Sequence, residues 1–277
     1  MQKFQRLYEV LREEGIATEE NTWTPEAADP EMVARVHHVA YVDNFVRGVL
    51  DPRAQRRIGL PWSPGLVRRT FRAVGGTVLT ARLAVEHGLA VNTAGGTHHA
   101  HPAFGSGFCI LNDLAVAARS VIREGLARSV LVFDLDVHQG DGTAAACADD
   151  PSVFTASVHC GDNFPFRKQR SDLDVVLPAG TGDRAYLEAV STALDQALER
   201  GRPDLVLYDA GVDVYAGDRL GRLNLSLAGI VERDTLVLKR LRATGIPTAA
   251  VIGGGYDADI DALADRHAIL HRVASNL

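Results

Sequence analysis

Ser129–Gly142 reads SVLVFDLDVHQGDG, and its first half decides the fold. From Ser129 to Leu135 the run is continuous in Val, Leu and Phe rather than alternating, as in a strand buried on both faces of a parallel sheet. Working outward, apolar runs of strand length recur at Leu89–Asn92, Val153–Val158, Leu173–Leu177, Asp204–Tyr208 and Pro247–Ile252. Between them the spacing predicts helices near 66–87, 112–125, 183–201, 229–244 and 259–274. Ahead of the first strand it predicts an amphipathic helix over 3–14, ended by Gly15, and a short helix around 31–48. Residues 16–32 read as an irregular surface segment, and residues 50–65, with three prolines and two glycines, as a loop. Gly75-Gly76, inside a predicted helix, signals close packing or a bend. Connections of these lengths suit right-handed crossovers around a mostly parallel sheet. No Ser/Gly-rich linker or repeat interrupts the chain, so residues 1–277 read as a single α/β domain.

Composition narrows the function. Hydrophobic residues make up 46% and charged residues 23% of the chain, which excludes disorder. Lys and Arg total 29 against 35 Asp and Glu, a net charge of −6 that argues against a dedicated nucleic-acid binder. No run approaches the roughly 20 apolar residues of a membrane span. The opening MQKFQRLYEVLREEG lacks the features of a secretory signal. Cys109, Cys147 and Cys160 show no CxxC spacing and cannot all pair, so a reducing cytoplasm is the expectation. Cys147, in an alanine-rich helical stretch, reads as buried, and nothing local selects thiol catalysis at Cys109 or Cys160.

Polar residues gather where the strands end, which is where open α/β sheets bind ligands. Asp134, Asp136 and His138 alternate, so an extended chain puts them on one side. Carboxylates in such a hydrophobic segment are costly unless paired, hydrogen-bonded or bound to metal. Asp136 and His138 make an O,N pair for a borderline divalent ion such as zinc; a hydrogen-bonded structural cluster is the alternative. Gly95-Gly-Thr-His-His-Ala-His101 places His98 and His99 after a tight turn, with His101 read as exposed. Phe108, in Gly105-Ser-Gly-Phe-Cys109, fits the lining of an opening and a core position equally. Asp213, in Asp209-Ala-Gly-Val-Asp213, lies within reach of the sheet edge as a second carboxylate ligand. Gly253-Gly-Gly-Tyr256 allows close backbone approach and offers a hydroxyl donor, or is simply a packing turn. Neither a GxxxxGK[ST] phosphate loop nor a GxSxG nucleophile elbow is present.

GGTHHAHPAFGSGFCILND (95–113), DLDVHQGDGTA (134–144), YDAGVDVYAGDRLG (208–221) and GGGY (253–256) together resemble the histone deacetylase superfamily, which shares the arginase-deacetylase fold. LVRRTFRAVGGTVLTARLAVEHGLAVNTAGG (66–96) and AGDRLGRLNLSLAGIVERD (216–234) look closest to the class IV branch and its bacterial relatives. The likeness runs from about residue 35 to residue 256, with the motifs in the family's order.

The resemblance implies a three-layer α/β/α domain around a mostly parallel eight-stranded sheet. It implies a metal triad of Asp136, His138 and Asp213, usually holding zinc and sometimes ferrous iron. His99 would be the general base for the attacking water and then the acid for the leaving amine, and His98 an electrostatic stabiliser. Asp134 would bond His98 and Asp141 would bond His99. Tyr256 would polarise the acyl carbonyl. Phe108 would wall the substrate channel, with Gly107 and Gly254 beside the substrate. Ser157, with oxygens around Asp134, Asp136 and His138, would hold a structural potassium ion.

The implied reaction removes an acetyl or longer fatty acyl group from acyl-lysine. Relatives with the same chemistry act on acetylpolyamines or other small amides, and a non-catalytic acyl-lysine-binding module is a further alternative. An arginase-like ureohydrolase would need two metals, and the tandem histidines with Tyr256 argue against it. Two residues depart from the family pattern. Gln139 replaces a frequent second histidine, and Asp209 stands where Asn or Gln is usual, adding negative charge near Asp213.

Overall fold

The computed structural model describes residues 2–277. In chain order the elements are α1 (Gln2–Glu13), α2 (Pro30–Ala34), α3 (Val39–Arg47), α4 (Pro52–Ile58), α5 (Pro64–His87), β1 (Leu89–Val91), α6 (Asp113–Arg123), β2 (Val130–Asp134), α7 (Asp141–Cys147), β3 (Val153–Cys160), β4 (Leu173–Leu177), α8 (Asp183–Gly201), β5 (Leu205–Asp209), α9 (Leu227–Thr244), β6 (Thr248–Val251) and α10 (Ile260–Ser275).

Every residue of β2 and of β5 is buried, as the continuous apolar runs require. Alternate side chains feed two cores. Val130, Val132, Leu205, Leu207, Ala249 and Val251 meet residues of α2 to α7 on one face. Leu131, Phe133, Val206, Tyr208 and Ala250 meet α1, α8, α9 and α10 on the other. The result is an α/β/α sandwich.

The strands run in the order β1-β6-β5-β2-β3-β4, all parallel. All six correspond to runs visible in the sequence. Among the described residues the sheet has six strands, not the eight that the family resemblance implies. β1 is an edge, and its residues, with parts of α1, α5 and α10, line a cleft of about 1020 Å³.

The topology also places the site. From β2 the chain steps to β3 and β4, then returns to the other side of β2 as β5 and steps on to β6. The strand order therefore reverses between β2 and β5, leaving a crevice at their carboxyl ends. In register across that end stand Ser157, Asp134, Asp209 and Val251.

Two elements differ from the sequence expectation. The helix expected over 31–48 is broken into α2 and α3, because buried His37 is drawn into bonds with the His101 carbonyl (3.1 Å) and the Asn112 amide (2.8 Å). The loop expected over 50–65 contains α4. Asp51 caps it by accepting from Arg53 N (2.8 Å) and Ala54 N (2.9 Å), Pro52 starts it, and left-handed Gly59 (φ 78°) ends it. At Gly75, α5 stays helical, and a Cβ there would strike the backbone of Glu26 and Ala28; close packing, not a bend, explains the glycine.

Candidate active site

Asp134 ends β2, and the chain beyond it turns so that Asp136 and His138 face the crevice from one side, while Asp213, beyond β5, faces it from the other. His138 Nδ1 lies 2.9 Å from Asp136 Oδ1 and 3.2 Å from Asp213 Oδ2. All three residues are buried. Asp213 Oδ1 accepts the Val137 amide (2.8 Å), but Oδ2 has no hydrogen-bond donor. The loop carrying Asp213 is anchored from beneath by fully buried Arg233, whose guanidinium donates to Gly211 O (2.6 Å) and Ala210 O (3.1 Å).

Glycines let the backbone close on these carboxylates. Gly254 N donates to Asp136 Oδ2 (2.7 Å), and a Cβ at Gly254 would overlap Asp136 Oδ2 and Asp213 Oδ2 together. A Cβ on Gly211 would stand 2.6 Å from Asp136 Oδ2. Two carboxylates, one imidazole, an orphaned buried oxygen and a cradle that excludes side chains fit a small divalent cation. The charges follow the same geometry. Burial opposes ionisation of His138, but the Asp136 and Asp213 carboxylates outweigh it and hold the imidazole up at about 10. Burial, reinforced by Asp136, pushes Asp213 up to about 7.

The tandem histidines face this cluster. His98 Nδ1 donates to Asp134 Oδ2 (2.7 Å) and His99 Nδ1 to Asp141 Oδ1 (2.6 Å), and the two rings are 4.1 Å apart. Asp134 and Asp136 overcome the desolvation of His98 and raise it well above an ordinary histidine. Burial and the neighbouring His98 charge lower His99 to about 4. The two imidazoles are thus pushed in opposite directions, and the Nδ1 proton of His99 is committed to Asp141. The turn before them is held by Asp113, which accepts from Thr97 N (2.7 Å) and Gly96 N (3.1 Å).

Tyr256 approaches from the end of β6. Its amide donates to Asp218 Oδ2 (2.7 Å), and its ring lies 5.5 Å from that of Phe108. Burial, with Cys109 and the site carboxylates adding to it, drives the phenol upward, so it stays a protonated donor. Phe108 is 42% exposed and holds a left-handed backbone (φ 65°), so it is a rim residue rather than a core one. Gly107 (φ 51°) packs beside His99, where a Cβ would stand 2.6 Å from the imidazole Cδ2. Ser157 Oγ is 3.0 Å from His159 Nδ1, and a void of about 10 Å³ lies between Ser157 and Asp134.

One reading of the sequence is corrected, and two departures from the family pattern find their places. His101 is buried, not exposed, because Nε2 meets Asp141 Oδ2 at 3.0 Å. Asp209 is set between Asp134 and His98: burial and adjacent Asp134 push its carboxyl well above the ordinary range, and its Oδ2 sits 4.0 Å from His98 Nδ1. Gln139 ties the 160s loop to β4: its amide donates to Gln169 O (2.8 Å) and Asp174 Oδ1 (2.8 Å) and accepts from Gln169 N (2.8 Å). Burial raises Cys109 to about 12, which disqualifies it as a nucleophile, and all three cysteines are buried and unpaired.

Sequence reasoning missed Asp113, Asp218 and Phe164. Phe164 stands edge-on to His99 at 4.8 Å and lies against Gly107, where a Cβ would come within 3.1 Å of its ring. The only local signal for it is the aromatic pair around Pro165.

A profile of the histone deacetylase domain matches residues 1–271. The chain belongs to the histone deacetylase family. It is 54% identical over 277 residues to an uncharacterized protein of Picosynechococcus sp., covering all of this chain and 92% of that one. It is 33% identical over 233 residues to histone deacetylase 2 of Arabidopsis thaliana, covering 83% of this chain but 56% of the plant protein. The crystal structure of an HDAC homolog from Aquifex aeolicus superposes with a TM-score of 0.83 at 24% identity, covering 99% of this chain and 77% of that one. An HDAC homolog complexed with SAHA gives the same figures. These structures share the α/β/α fold described above. The buried His/Asp cluster is consistent with the active site of a metal-dependent hydrolase of this family. No helix among the described residues is long and apolar enough to cross a membrane.

Proposed function

We propose that the protein is a metal-dependent deacylase that hydrolyses the amide of an acylated lysine, acting within the class IV branch of the family. The observation that carries this reading is the convergence, in one crevice, of the Asp136–His138–Asp213 cluster with two buried histidine–aspartate pairs. Asp136, His138 and Asp213 would hold the ion, with zinc favoured by the O,N donor set and ferrous iron as the alternative. When bound, the ion supplies Lewis acidity to the acyl carbonyl and lowers the pKa of water.

The chain's own residues do the rest. His99 is neutral and fixed by Asp141 through Nδ1, which leaves Nε2 to take a proton from the attacking water and return it to the departing amine. His98 and the protonated Tyr256 hydroxyl stabilise the charge that develops on the carbonyl oxygen. Phe108 and Phe164 would shield the acyl-bearing stem from water, and Gly107 lets the backbone lie against His99 and Phe164. A monovalent cation such as potassium beside Asp134 and Ser157 would neutralise part of the carboxylate charge. The unpaired cysteines favour a reducing cytoplasm.

A metal-quantified hydrolysis panel tests the reading. Acetyl-lysine and long-chain acyl-lysine peptides should be cleaved, with activity lost to chelation and restored by zinc. Turnover of acetylpolyamines alone would move the substrate to small acylated amines. No hydrolysis of any of these amides by protein holding one metal per chain would overturn the assignment.

A further inference from the structure

Asp141 has two oxygens, and only one is explained by His99. The other, Oδ2, meets His101 Nε2 at 3.0 Å, and both residues are buried. We propose that His101 is a positioning residue: it pins the Asp141 carboxylate so that Oδ1 holds His99 in one tautomer and one orientation. The inference deepens the deacylase reading and rests on it for its kinetic consequences.

His101 is itself held on three sides. Its ring stacks on Phe104 (4.4 Å between centroids, 18° between planes), and the Arg57 guanidinium of α4 lies 4.4 Å from the centroid of that same phenylalanine. Its backbone amide donates to Phe104 O (2.9 Å). Its carbonyl accepts from His37 Nδ1 (3.1 Å), and the tautomer of His37 is set because its Nε2 accepts from the Asn112 amide (2.8 Å). A column of side chains thus runs from α4 through Phe104 and His101 to Asp141 and His99.

The physical need is clear. A buried carboxylate with one oxygen unsatisfied is free to swing toward another donor, and His99 would swing with it. With both oxygens engaged, the carboxylate plane is set, and through it the imidazole. Asp141 is held below the ordinary carboxylate range because bonds from His101 and His99 outweigh its burial.

Two substitutions separate this role from packing. His101→Phe keeps the ring on Phe104 and removes the donor; His101→Gln keeps a donor and removes the ring. With metal content equal, H101F should lose about 10- to 100-fold in kcat with KM within about 2-fold, and H101Q should recover most of that loss. The His99 Nδ1–H proton resonance, far downfield in the wild type because of its 2.6 Å bond, should persist in H101Q and broaden or move upfield in H101F. H101F at wild-type kcat with that resonance intact would overturn the proposal, as would H101F outperforming H101Q. The resonance needs no substrate, so a wild type that hydrolyses none of the amides would defeat the deacylase reading while leaving the His101–Asp141–His99 linkage open to this measurement.

Discussion

Gly254 is the residue at which the smallest change should do the most damage. Replacing it with alanine adds one methyl group where the backbone lies against two carboxylates. The new carbon would sit about 1 Å inside the 3.4 Å at which ordinary contact begins, against both Asp136 Oδ2 and Asp213 Oδ2. Gly254 is not among the residues with a left-handed backbone, so alanine brings no φ strain and the effect comes from the methyl alone. Metal–ligand distances tolerate deviations of about 0.2 Å, so displacing two ligand oxygens by about 1 Å breaks the coordination geometry. The expected loss in zinc affinity is about 100-fold or more, roughly 3 kcal/mol. The assay is bound zinc per chain across a series of buffered free-zinc concentrations, with thermal unfolding of the same samples followed by circular dichroism. A folded G254A protein that fills with zinc at the wild-type concentration would show that Gly254 does not form part of the ion's cradle.

Further outcomes follow from the same geometry. Tyr256→Phe should lower kcat about 100-fold with zinc still stoichiometric, the usual effect of losing one oxyanion donor; near-normal turnover in the metal-loaded variant would remove that role. Asp213→Ala should lose stoichiometric metal, and a zinc-filled D213A would defeat its assignment as a ligand. With His138 held at about 10 and Asp213 at about 7 in the metal-free cluster, zinc binding at pH 7.5 should release at least one proton, and affinity should rise with pH; calorimetry in buffers of different ionisation enthalpy that detects no proton release would contradict this. Asp209→Asn should stabilise the protein at pH 7–8, since burial opposes ionisation of a carboxyl that ionises freely in the unfolded chain and an amide removes that penalty. The sign follows from linkage: the carboxyl's folded pKa is raised, so the wild type is most stable below the ordinary aspartate range and loses that stability as pH rises. The advantage of D209N should therefore shrink toward pH 4, and urea titrations at the two pH values check it.

The sequence alone determined the α/β/α layering and the local patterns from which the candidate site is built. Val130–Phe133 has no polar face, and a strand with no polar face must be covered on both sides; from that, helices above and below a parallel sheet follow. The tandem histidines, the Asp-x-Asp-x-His spacing and the glycines before Tyr256 are local patterns, legible because adjacent residues impose them. Tertiary structure decided what depends on residues far apart in the chain. His101 is separated from Asp141 by 40 positions, and nothing near it in sequence reveals that it is buried on that carboxylate. Phe164 joins the site only because its loop folds over His99, and the carboxyl of Asp209 is pushed upward only because β5 lies beside β2 and sets it against Asp134. Protonation and orientation are properties of an environment, and the environment exists only once the strands have been brought into register.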